Sequence, residues 1–453
     1  MTTAKEKSNF KFRVPSHPLL RMCMALVSED MAATYSRDLY KWLLIAPIIG
    51  VTTGLAVTAI AAIILKSLWP VLLHYFLRHP WSIVPIMTSA FAVTGLIMQF
   101  LTPDPDEHST EEIIRSYHEH QGQINLRFFF PKLLAAITTV GFGGSAALEG
   151  PSIYGGGAIG SWLWTKLQRL RVRPNDRRIM LISGAAAGMA AVFRAPMTGL
   201  VFALEMPYKD DLAHEALLPS LIASVVSYVT LAFFLGATPL FNFASAATFR
   251  GQDLLWCALL GVLIGLVSMA FTTTFRRARV FMVHWGIPHW LKLTLGGFLT
   301  GICGLAFLSI YPGSLIPLGP NYEAVGEILG HSHSSAELVV FGVLKLVATL
   351  CTLASGGVSA MFVPLFLTGG SFGTAFAQSI VHAASVELYA AVGMAAFIAA
   401  GYKTPLAAVV FVAEATGGHA FIIPSLIGAA VAYAVSGEAS ASGDQRVHEP
   451  ARA

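Results

Sequence analysis

Lys132 to Pro151 reads KLLAAITTVGFGGSAALEGP, and Lys345 to Pro364 reads KLVATLCTLASGGVSAMFVP. Laid together without a gap, they coincide at Lys132/Lys345, Leu133/Leu346, Ala135/Ala348, Thr139/Thr352, Gly143/Gly356, Gly144/Gly357, Ala147/Ala360 and Pro151/Pro364. The match runs on, with Gly156 and Gly160 opposite Gly369 and Gly373. A second pair follows in the same order: Ala195–Glu205 (APMTGLVFALE) is similar to Thr404–Glu414 (TPLAAVVFVAE). Two matched pairs at nearly the same separation are not a by-product of apolar composition, so the chain reads as two copies of one unit. Apolar segments interrupted by Gly and Pro at corresponding places point to a transporter or channel whose site lies between the halves. Small residues four apart, as at Gly156/Gly160, Gly184/Gly188 and Gly369/Gly373, let helix backbones approach closely.

Composition places these repeats in a membrane. Hydrophobic residues make up 55% of the chain and charged residues 12%, about half the ~25% of a soluble domain. Mean hydropathy is +0.66. Apolar runs long enough to cross a ~30 Å hydrocarbon core recur at Trp42–Leu65, Ile83–Leu101, Leu217–Leu235, Leu254–Phe271 and Leu291–Leu308. With no alternating barrel pattern, backbone satisfaction in lipid requires helices. The fold class is therefore an all-α polytopic membrane protein. Lys5, Lys7, Lys11, Arg13, Arg21, Arg37 and Lys41 precede the first apolar run, and no signal-peptide pattern is read there. The positive-inside rule puts the N-terminus in the cytoplasm, with basic loops Lys166–Arg178 and Arg276–Arg279 on the same side. The expected organisation is a cytoplasmic segment 1–42, a membrane domain 43–437 and a polar tail 438–453. The repeats would span about 43–250 and 251–437.

The net charge of +4 is thus a matter of topology, and without aromatic interleaving nucleic-acid binding is excluded. Cys23, Cys257, Cys303 and Cys351 show no metal-ligand spacing. His118-Glu119-His120 and His331-Ser332-His333 alternate along polar loops without convergent partners, so no metal is expected. No cofactor motif is present, and no GxSxG, HExxH or P-loop marks a membrane enzyme.

Glu149 is the residue that carries most chemistry. It precedes Gly150-Pro151 in a glycine-rich break between apolar segments. A carboxylate at membrane depth costs several kcal/mol unless partnered or protonated. Pro151 fits the first turn of a helix, where its missing N–H is no loss. A helix start presents free N–H groups and partial positive charge, which favour an anion. Glu149 would compete there as a tethered anion, and protonation would toggle it. The repeat sets Phe362, between Met361 and Val363-Pro364, at the equivalent position, so a second helix start aims at the same region. Glu205 and Glu414 close the second repeat element; bonding backbone groups and a transport role are equally open. Lys132 and Lys345 either stabilise a buried anion at long range or snorkel to a helix end.

In combination, these motifs resemble those of the CLC family of chloride channels and chloride/proton exchangers. Gly144–Gly160 is similar to its G-x-E-G-P segment, and Ala360-Met361-Phe362-Val363-Pro364 to its G-x-F-x-P segment. Ser183–Glu205 and Lys403–Glu414 are similar to the helices that follow each. The resemblance covers most of residues 43–437. It implies an inverted-repeat fold of many tilted, partly spanning helices, of prokaryote type without CBS domains. A homodimer with one pore per subunit in the bacterial inner membrane would follow. Glu149 would be the external gating glutamate, and backbone around Gly150, Met361 and Phe362 would hold chloride.

Three departures bear on mechanism. The family's G-S-G-I-P motif is missing; counting back from Glu149 puts Glu107-His108-Ser109-Thr110-Glu111 there, so its serine would be His108 or Ser109. The tail, Ser440-Ala441-Ser442-Gly443-Asp444, lacks the family's coordinating tyrosine. Where exchangers carry two consecutive acids this chain has Glu205-Met206. These departures tilt the expectation toward passive chloride conduction, with chloride/proton exchange next. A fluoride exporter or intramembrane enzyme follows behind.

Overall fold

The computed structural model describes residues 35–106, 109–168, 173–238, 249–322, 324–329, 333–383, 385–417 and 419–447. These form helices joined by short turns, with two isolated β-bridges and no strand among the described residues. Six helical segments are long and apolar enough to span a membrane. The apolar runs Ile83–Leu101 and Leu217–Leu235 are helices with those very bounds. Leu254–Phe271 lies inside a longer helix, Gly251–His284, and Leu291–Leu308 inside His289–Ile310. Shorter apolar helices (Pro196–Glu205, Glu387–Tyr402, Pro405–Thr416, Ile422–Val435) cannot each cross a full bilayer, the partly spanning pattern expected of this architecture.

The repeat is explicit in the hydrogen bonding. Gly143 and Gly356 both adopt positive φ, 102° and 107°, ending the Phe129–Gly141 and Ser335–Ala354 helices. Thr139 Oγ1 accepts the Val358 N–H at 3.2 Å, and its counterpart Thr352 Oγ1 accepts the Ser145 N–H at 3.1 Å. Ala147 and Ala360, themselves a matched pair, meet in an antiparallel bridge. Arg194 and Lys403 take left-handed backbone (φ 53° and 59°), each turning the chain into a helix that opens on proline. Equivalent helices also pack on one another: Ile83–Leu101 on His289–Ile310, and Pro196–Glu205 on Pro405–Thr416. The two copies are thus wound about a common two-fold line, with the breaks at 143–148 and 356–361 lying along it.

Small residues allow this closeness. A methyl on Gly156 would collide with the Gly184 backbone, and one on Gly369 with the Gly393 backbone. The Glu149–Leu167 helix therefore lies tightly on Asp176–Phe193, and Phe362–Phe376 on Glu387–Tyr402.

Two segments differ from the sequence reading. His118-Glu119-His120, expected along a polar loop, begins inside a helix, since His118 and Glu119 close Ser109–Glu119. The tail's described portion folds back onto the membrane body. The Ala441 N–H donates to the Gly401 carbonyl at 2.7 Å, and Gln445 Nε2 donates to the carbonyls of Tyr402 (2.9 Å) and Met206 (3.2 Å). Polar side chains there satisfy backbone carbonyls at helix ends, which composition alone does not reveal.

Candidate functional site

Three helix starts converge where the repeats meet: Ser109–Glu119, Glu149–Leu167 and Phe362–Phe376. Glu149 is buried, 1% exposed, and its Oε1 accepts the Phe362 N–H at 2.7 Å. Its Oε2, also buried, has no hydrogen-bond partner among the described residues. The carboxylate of one repeat thus occupies the helix start of the other, where an anion is most favoured. Gly150 cannot carry a side chain here: a Cβ would lie 2.8 Å from the Ser359 carbonyl carbon and 2.9 Å from the Ala360 nitrogen. The same Cβ would stand 3.0 Å from Ser109 Oγ, so the first helix start reaches the second at this glycine. Ser359 Oγ donates to the Ala147 carbonyl, fixing the break.

Beside this junction is a cavity of about 40 Å³, lined by Ser109, Thr110, Ser359, Met361, Tyr402 and Glu111 among others. It has room for a water-sized species. Ser109 Oγ and Thr110 Oγ1 are buried in its wall without a partner among the described residues. The Met361 N–H donates to Tyr402 Oη at 2.9 Å. Successive N–H groups of one helix start therefore go to a tyrosine and to Glu149.

Of the expected anion-binding residues, Ser109 and Met361 line the cavity, Gly150 packs behind it, and Phe362 offers its N–H to Glu149. His108 lies outside the described residues. The Phe362 ring is enclosed by Phe193, Phe202, Phe411 and Tyr402, with ring centroids 5.0–6.0 Å away. The tail has no tyrosine, but Tyr402, at the end of the Glu387–Tyr402 helix, places its hydroxyl at the site. Sequence reading missed Tyr402 and the aromatic enclosure. The only signal was that Tyr402 precedes the repeated Lys403–Glu414 segment, as Phe193 precedes Arg194.

The supporting residues sort differently. Glu205 accepts the N–H groups of Leu406 (3.0 Å) and Ala407 (2.8 Å), while Glu414 accepts those of Met197 (2.9 Å) and Thr198 (2.7 Å). Each acid caps the matching helix of the other repeat, a carboxylate on a helix N-terminus. Neither Lys132 nor Lys345 reaches Glu149, and neither snorkels. Lys132 Nζ pairs with Glu112 at 2.6 Å, and buried Lys345 donates to the carbonyls of Gly319, Pro317 and Ile316 at 3.1–3.4 Å. Each lysine clamps the segment before or within the short helix of its own repeat, Ser109–Glu119 or Ala324–Leu329. His118 bonds the Pro207 carbonyl at 2.8 Å, and no group of three metal-ligating side chains forms among the described residues.

A wider vestibule of about 330 Å³ adjoins the cavity, lined in part by Arg115, Phe275, Arg276, Arg279, Ala441 and Asp444. Arg276 and Arg279 reach it from within the helix Gly251–His284, so the basic stretch Arg276–Arg279 is helical rather than the loop expected from the sequence. Arg115–Asp444 and Arg446–Glu119 tie the tail to the Ser109–Glu119 helix.

A model of the voltage gated chloride channel family matches residues 89–437. The H(+)/Cl(-) exchange transporter ClcA of Yersinia pestis bv. Antiqua (strain Angola) is 27% identical over 356 residues, 77% of this chain and 73% of that protein. ClcA of Salmonella arizonae is 26% identical over 403 residues, 85% and 83% of the two chains. Among solved structures, a CLC-type fluoride/proton antiporter superposes with TM-score 0.80 at 22% identity, covering 92% of this chain and all of the other. A slow cyanobacterial Cl-/H+ antiporter gives 0.75 at 22% identity, covering 87% and 94%. The family match over most of the chain, the inverted repeat and the shared fold agree: this chain belongs to the CLC family of voltage gated chloride channels and related transporters.

Proposed function

We infer that the protein exchanges chloride for protons across a membrane, with Glu149 as the outer gate. The observation that carries this reading is the buried Glu149 carboxylate bonded to the Phe362 N–H at a convergence of helix starts. A half-satisfied buried carboxylate is displaced when an anion takes its N–H partners, or leaves when a proton removes its charge. One group thereby answers to both ions. The relatives named as H(+)/Cl(-) exchange transporters favour exchange over the passive conduction expected from Met206 and the tail. In this reading Ser109, Thr110, Met361 and Tyr402 hold the anion, with selectivity from N–H and hydroxyl donors. Lys132, Glu205 and Glu414 position the helices. The working unit is a homodimer in the inner membrane, and the vestibule faces the cytoplasm because Arg276 and Arg279 line it.

The test is a proteoliposome with a chloride gradient and no initial pH gradient. Chloride flux is expected to drive uphill proton movement in the wild type, and Glu149→Gln is expected to pass chloride without proton movement. Chloride flux without proton movement in the wild type returns the protein to a passive channel. Absence of any anion flux from folded protein, with fluoride as well as chloride, ends the reading.

A further inference from the structure

Position 206 supplies no acid, yet the inner side of the site holds one. Glu111, the third residue of Ser109–Glu119, pairs with Arg279 of Gly251–His284 at 2.6 Å. The other Arg279 amino group donates to the Asp106 carbonyl at 2.8 Å. Acid and cation come from different repeats, and both line the 40 Å³ cavity and the vestibule. The pair therefore spans the neck between the two. Its side chains are only 20% and 24% exposed, so their attraction is less screened than that of a surface pair. Immediately behind it stand the buried hydroxyls of Ser109 and Thr110, without a partner among the described residues.

Resting on the transport reading above, we propose that Glu111 is a second gating carboxylate, whose ion pair with Arg279 closes the cavity toward the vestibule and whose protonation from that side opens it. A guanidinium stays charged at any physiological pH, so protonating Glu111 turns a neutral neck into a cationic one. The released fork of N–H donors then faces the vestibule, suited to a small anion. A proton entering the neck thus admits an anion, with Glu111 at the vestibule side and Glu149 at the convergence of helix starts beyond the cavity.

The charges facing Glu111 leave it the group most directly tied to Arg279. On its own helix Arg115 is engaged with Asp444 of the tail at 3.4 Å. Asp106, on the preceding turn, faces His289 at 3.6 Å. From the second-repeat helix, Arg276 and His284 line the vestibule, and His284 bonds the Val280 carbonyl of its own helix at 2.8 Å. Asp104 lines the outer part of the vestibule, and Tyr402 closes the cavity side.

The experiment compares chloride efflux from proteoliposomes carrying Glu149→Gln with efflux through Glu149→Gln/Glu111→Gln, at equal pH on both sides. Removing the outer acid leaves the inner one to set the pH dependence. Efflux through the single variant is expected to rise roughly threefold or more as the pH is lowered from about 7.5 to 5, because protonating Glu111 frees Arg279. The double variant is expected to be fast and flat over that range. A flat single variant, or a double variant with unchanged pH dependence, overturns the proposal. Should the double variant be folded but inactive, Glu149→Gln/Glu111→Ala decides: pH-independent flux supports the gate, and none sinks it. Failure of the transport reading looks different, since neither the wild type nor Glu149→Gln would then move an anion at any pH.

Discussion

Tyr402 shows how one hydroxyl is committed at the site. Its oxygen accepts the Met361 N–H at 2.9 Å, so its own proton is free to point into the cavity that Tyr402 lines. Tyr402→Phe removes that donor and leaves a buried N–H unpaired, a cost of about 1–3 kcal/mol. Chloride affinity measured by calorimetry is expected to fall roughly tenfold, with a lowered melting temperature. An unchanged affinity would place the anion away from Tyr402. Gly150 is constrained more simply. In Gly150→Ala the methyl would meet the Ser359 and Ala360 backbone at 2.8–2.9 Å, so backbone rather than a flexible side chain must yield. Overpacking of this kind costs about 1–3 kcal/mol and, in this place, spreads the helix starts apart. A lower melting temperature with weakened chloride binding is the expected result.

At the scale of elements, the reciprocal caps are the main device. Glu205 and Glu414 each hold the start of the other repeat's helix through two N–H bonds. Replacing either by Gln turns an oxygen into a donor that faces N–H groups. Glu205→Gln and Glu414→Gln are each expected to lower stability by about 1–3 kcal/mol, as for loss of a charge-assisted bond. The check is thermal melting in detergent, alongside the proton-to-chloride ratio in proteoliposomes. Caps alone leave that ratio unchanged; a variant that shifts it at near-normal stability would assign its acid to transport.

For the whole molecule, Arg276 and Arg279 of the helix Gly251–His284 border the vestibule. A thiol at Arg276→Cys is expected to react with a membrane-impermeant maleimide only when the cytoplasmic side of the membrane is exposed. Labelling of intact cells would invert the orientation. The chain's apolar surface supports its place in lipid: Phe233, Leu255 and Phe100 are 71–84% exposed, which a water-facing surface does not sustain over so many helices.

The sequence by itself determined that the chain is helical, membrane-embedded and doubled, because hydropathy and matched glycines and prolines are local properties of the string. It also singled out Glu149 and Phe362 as candidates, since an acid before Gly-Pro and its apolar repeat partner are visible side by side. Only the tertiary structure decided what those residues touch. Tyr402 reaches the site from a helix whose end looks like ordinary apolar sequence, and the polar tail folds beneath it. Glu205 and Glu414 became mutual caps, and Glu111 met Arg279, because partners about two hundred residues apart along the chain are joined only by winding the repeats about their two-fold line. Periodicity encodes which face of a helix is buried, but not which distant helix end that face will meet.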